Sequence, residues 1–172
     1  MKKFPTQRIT RLALFTAAAL ILTLVENALP PLLIFAPGAR MGLANAVILT
    51  ALILFGPIDA VVVLVAKCLL GALFAGNPAA LLYSVPAGVI SFALQYLSYQ
   101  FFFPKISLMS ISLSGAVAHN MTQLLIASLI FGVNLFYVLP LTLIASVIAG
   151  LFVGLSAYFT VKYLPKSVFV DH

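Results

Sequence analysis

Glu26, Asn27, Asn45, Lys67, His119, Asn120 and Gln123 all fall inside long apolar runs, with Arg40 and Asn77 at the edges of such runs. A charge near the centre of a bilayer costs about 2.5 to 3.5 kcal/mol on insertion scales, so Lys67 has to face a partner or a wet cavity. The same argument applies more weakly to Glu26, which lies nearer the end of its run. Arg40 can grip a carboxylate or phosphate through two parallel hydrogen bonds, whereas Lys67 acts as a point charge. His119 and Gln123 are four residues apart and therefore share a helix face. Two cations, one anion and several amides suit an amphipathic ligand bearing an anionic group. Each residue also has a plainer role open to it: Lys67 with Glu26 as a structural ion pair, His119 as hydrogen-bonded packing, Arg40 as an interfacial anchor. Cys68 reads as a small core residue, because no Cys/His spacing for zinc or haem accompanies it. Asn120-Met121-Thr122 matches a glycosylation acceptor but sits in an apolar run, where it has no such use.

The chain that positions these residues has 172 residues, 64% of them hydrophobic and 7% charged. A soluble domain carries roughly a quarter of its residues as charges, so the solvent here is lipid. Six crossings of about 20 residues use roughly 120, which leaves two short tails (1–8 and 162–172), tight connections and a single transmembrane domain. No Gly-x4-Gly-Lys-Ser/Thr phosphate loop is present, so any ATP is used by a partner.

Apolar runs between proline and glycine breakers predict helices near 9–29, 41–56, 58–76, 80–102, 108–132 and 136–161. The expected fold is all-α and polytopic, with both termini cytoplasmic. A five-helix alternative, with 41–76 bent at Pro57, is the weaker one. The six-span topology places Lys2, Lys3, Arg8, Arg11, Lys105, Lys162 and Lys166 inside and Arg40 outside, as the positive-inside rule requires. It makes Gly56-Pro57-Ile58-Asp59 a cytoplasmic loop and gathers the polar set in the outer half of the bundle, as a pocket open to the outside. Rows of small residues at four-residue spacing, Ala13 with Ala17, Ala145 with Ala149 and Gly150 with Gly154, mark faces for close helix contact.

Several stretches carry a family resemblance. Pro37-Gly38-Ala39-Arg40-Met41-Gly42-Leu43-Ala44-Asn45, Lys67-Cys68-Leu69-Leu70-Gly71 and Gly115-Ala116-Val117-Ala118-His119-Asn120 with Gln123 resemble the bacterial Gx transporter family, also labelled heptaprenyl diphosphate synthase component I. That family is similar in size and layout to the substrate-binding S-components of energy-coupling-factor (ECF) transporters, six-helix bundles that capture vitamins and related molecules. The resemblance implies a bacterial cytoplasmic-membrane protein. It also implies docking through Ala13 and Ala17 onto a coupling transmembrane subunit served by two cytoplasmic ATPases. It makes Arg40, Asn45, Lys67, His119, Asn120 and Gln123 the pocket candidates, which Glu26 joins as a costly polar residue of the same half of the membrane. The prenyl-synthase label implies instead a membrane subunit associated with a soluble prenyl diphosphate synthase and quinone biosynthesis. Prenyl transfer needs aspartate-rich sequences that hold magnesium on a diphosphate, and the acids here are only Glu26, Asp59 and Asp171. The chain is therefore expected to be non-catalytic, with no metal or cofactor of its own.

Overall fold

The computed structural model describes residues 6–28, 42–132, 134 and 136–163. Among these residues six α-helices follow one another: α1 (Thr6–Ala28), α2 (Leu43–Phe55), α3 (Pro57–Phe74), α4 (Ala80–Phe102), α5 (Leu108–Phe131) and α6 (Leu139–Tyr163), the last preceded by a 3-10 turn at Phe136–Val138. Five of them are long and apolar enough to cross a membrane. The protein is a multi-pass, all-helical membrane protein.

Gly56 alone separates α2 from α3, at φ 86° and ψ 177°, and Pro57 opens α3, where its missing N–H is not needed. Asp59 therefore lies in the first turn of α3 rather than in the loop predicted there. Its carboxylate suits a helix N-terminus and receives Arg8 of α1, whose Nε donates to both oxygens at 3.0 and 3.3 Å while Nη2 donates to Oδ1. The Arg11 guanidinium lies 5.3 Å over the Phe55 ring, and that ring meets Phe15 edge-on at 4.9 Å. Arg8 and Arg11 are thus packed contacts between α1 and the α2–α3 corner, not anchors alone, and the tail predicted to run to residue 8 is already helical from Thr6.

The α2 helix is the centre of the bundle. It packs against α1, α3 and α6, and nine of its thirteen residues are buried, as expected of a helix apolar all round. Thirteen residues rise only about 20 Å, short of the roughly 30 Å hydrocarbon layer. Around it, α5 packs along α4 and α6, while α1 rests on α2 and α3. The α5–α6 contact is backbone against backbone: a Cβ added at Gly150 would lie 2.7 Å from Leu113 Cα, and one at Gly154 the same distance from Met109 Cα. The small residues of α6 are therefore an internal packing row. Those of α1 are not, because only 6% of its span is buried and Ala13 and Ala17 are exposed on the outer side of the bundle.

Candidate functional site

Because α2 begins inside the bundle, its first N–H groups need partners that lipid cannot supply. Gly42 precedes it in the left-handed region, φ 65° and ψ 37°. A side chain there would be strained and would meet Asn45 Nδ2 at 2.8 Å. Glu26 reaches over from α1: the Gly42 N–H donates to Oε1 at 2.6 Å and the Leu43 N–H to Oε2 at 3.3 Å. A carboxylate from a neighbouring helix thus caps α2, in the place where its dipole favours negative charge. Glu26→Ala should lower the unfolding midpoint, through a loss of about 1–2 kcal/mol, and Glu26→Gln should recover part of it. Circular-dichroism melting in detergent checks this, and unchanged midpoints for both variants would refute the cap.

Over the α2 N-terminus lies a cavity of about 280 Å³, walled by Thr23, Glu26 and Asn27 of α1, Gly42 before α2, Ala44 and Asn45 of α2, Lys67, Cys68 and Gly71 of α3, Ser84 of α4, and His119 and Gln123 of α5, with Ala75 and Asn77 at the turn after α3. Five of the predicted pocket residues, Glu26, Asn45, Lys67, His119 and Gln123, share this one space. Asn45, Lys67 and His119 are buried at helix positions well inside the bundle. Lys67 brings the one Lys or Arg side chain among the described residues of this wall. Asn45 and Gln123 add side chains that both donate and accept. The Cys68 thiol donates to the Ser84 carbonyl at 3.8 Å and lines the same wall. Among the described residues no group of three or more His, Cys, Asp or Glu side chains could hold a metal ion. Arg40 lies outside the described residues, and Ala13 and Ala17 take no part in the wall.

Residues 15–160 match the family described as heptaprenyl diphosphate synthase component I, from α1 to the last turn of α6. The chain belongs to the heptaprenyl diphosphate synthase component I family. No curated protein and no solved structure gave a match.

Asn120 departs from the predicted pocket. Its Nδ2 donates to Ser146 Oγ at 2.9 Å, and that hydroxyl donates to the Thr142 carbonyl at 2.6 Å. Asn120 therefore clamps α5 to α6, because the turn that aims His119 at the cavity rotates its neighbour by about 100°. It borders a separate void of about 10 Å³ together with Gln95, Ser112, Asn45 and His119. Gln95, Ser112 and Ser146 are buried polar residues that polar type alone does not single out in an apolar chain. Spacing could have found Gln95 and Ser112. Ser112, His119 and Gln123 follow at seven and four residues along one face of α5, and Ser91 and Gln95 are four apart on α4. Ser91 Oγ donates to the Gly115 carbonyl at 2.8 Å, tying α4 to that same helix.

Proposed function

We propose that this component I chain is a non-catalytic membrane subunit whose cavity over the α2 N-terminus binds a compact anionic or amphipathic molecule. The observation that carries the proposal is the convergence of Lys67, Asn45, His119 and Gln123 from three helices on one polar space inside an apolar bundle. A cavity of about 280 Å³ with polar groups on its wall suits a small polar or amphipathic molecule. We take that molecule to be vitamin-like or related to isoprenoids or quinones. The non-catalytic role is supported by the two described acids, both engaged: Glu26 with the α2 amides and Asp59 with Arg8.

The family description favours a soluble heptaprenyl diphosphate synthase subunit as partner, with chemistry on that subunit and the membrane chain supplying location and ligand. A second reading, uptake through an ECF-type coupling subunit and two ATPases, is favoured by the exposed Ala13 and Ala17 on the least buried helix. In both, Arg8, Arg11, Lys105 and Lys162 mark the cytoplasmic end, the cavity opens outward, and the membrane is the bacterial cytoplasmic one.

Native mass spectrometry of the protein purified from its own membrane tests the shared claim. A bound small molecule is expected, and an empty chain under all mild detergents would refute it. Co-purification with a prenyl synthase or with ATPases separates the partners. On the uptake reading, Ala17→Leu should reduce uptake at least tenfold while the purified variant still holds its ligand, and undiminished uptake would eliminate docking through this face.

A further inference from the structure

The cavity wall already holds an anion, and it belongs to the chain itself. The Glu26 carboxylate accepts from the Gly42 N–H through one oxygen at 2.6 Å and from the Leu43 N–H through the other at 3.3 Å, so the start of α2 grips a two-oxygen anion in a fork. Gly42, Ala44 and Asn45 put this helix end in the wall of the 280 Å³ cavity. A further donor stands beside the fork. Asn45 Nδ2 lies 2.8 Å from the point where a Cβ on Gly42 would be, and the Asn45 side chain lines the cavity at 8% exposure. No described residue hydrogen-bonds its carboxamide. A polar group held this deep without a partner costs free energy, and an entering acceptor removes that cost. Glu26 is the less firmly placed member of the group. It is half-buried, two residues before the end of α1 and next to the exposed Asn27 and Ala28, whereas the amides belong to the helix at the centre of the bundle. The carboxylate can leave the fork for the outer end of the bundle while the donors stay in place.

We propose that the Gly42 and Leu43 amides and Asn45 Nδ2 form the anion subsite of the cavity, and that Glu26 fills it until the carboxylate or phosphate group of a ligand displaces it. At the amides the exchange is even: two hydrogen bonds to an anion are lost, two are made, and the helix dipole keeps its negative partner. The incoming group gains the Asn45 donor as well. A neutral ligand gains nothing from the exchange and leaves Glu26 bound. The inference rests on the cavity being a ligand site, and adds which end of the ligand goes where.

The test uses the full chain in detergent, with acetate and inorganic phosphate as probes at constant ionic strength, and reads the unfolding midpoint against probe concentration. Glu26→Ala empties the fork. Glu26→Gln leaves a neutral competitor, and keeps the comparison open if the alanine variant does not fold. An internal competitor weakens an external one by its own equilibrium constant, so the Glu26→Ala half-point should fall at a probe concentration about fivefold below the parent's. Its lowered midpoint should climb back toward the parent's as probe is added. Equal half-points, or a variant that neither probe stabilises, overturn the proposal. Adding Asn45→Ala to Glu26→Ala should raise the half-point about tenfold, and an unchanged half-point overturns the three-donor subsite. Rescue in a chain that carries no molecule out of its own membrane would refute the ligand reading of the cavity and keep the anion fork. A chain that carries one, with no rescue, would refute the fork and keep the reading.

Discussion

Lys67→Met should abolish ligand retention by the purified protein, with at least about a thirtyfold loss of affinity, and leave it folded. Lysine and methionine stems have similar length and flexibility, so the substitution keeps the α3 packing and deletes the ammonium. Lys67 is 8% exposed and lines the cavity, where an ion pair with a bound anion is little screened by salt. Truncating one partner of a buried charged pair typically costs 2 to 5 kcal/mol or more, which is at least about thirtyfold in affinity and reaches several thousandfold. Ligand occupancy by native mass spectrometry, taken beside a melting curve, reads both. A variant that melts like the parent and still carries its ligand would remove Lys67 from the site.

Gly150→Val should have the largest effect on stability, and Gly154→Val should match it. The new Cβ at either position meets backbone, at 2.7 Å from Leu113 Cα or Met109 Cα, and backbone cannot swing aside as a side-chain tip can. Helices α5 and α6 must separate, loosening the Asn120–Ser146 hydrogen bond and the wall of the small void. Overpacking of this kind costs about 3 kcal/mol or more, a midpoint lowered by roughly 10 °C in a chain of this size. Gly71→Ala is the control, since its Cβ would meet only side chains at 3.7 and 3.9 Å and should be tolerated. Equal midpoints for Gly150→Val and Gly71→Ala would contradict the close helix approach.

Proline and glycine punctuation is enough to predict 80–102, which α4 matches end for end, and the remaining helices to within a few residues. The same punctuation misplaces Asp59, because a Gly-Pro pair reads as a loop whether the chain turns over several residues or over one. Polarity in an apolar background finds Lys67, His119 and Gln123, since lipid gives such residues few other places to go. It cannot find the role of Glu26, whose hydrogen-bond donors are backbone amides of a different helix and leave no trace in residue type. It also groups Asn120 with Gln123 by depth, whereas the Asn120 amide is bonded to Ser146 of α6 and only Gln123 lines the larger cavity. Nor does four-residue spacing distinguish the two small-residue rows. Ala13 and Ala17 face outward while Gly150 and Gly154 are buried, and only the packing of whole helices decides which is which.

The sequence contains a single cysteine, and the bundle places it in the cavity wall beside Lys67. The native protein therefore carries one thiol, already at the site of interest, with no background sulfhydryl to be engineered away. Any thiol-directed fluorophore, spin label or mass tag small enough to enter reports on the cavity alone. Its rate of attachment from either side of a sealed vesicle measures which face the cavity opens to, in the wild-type chain.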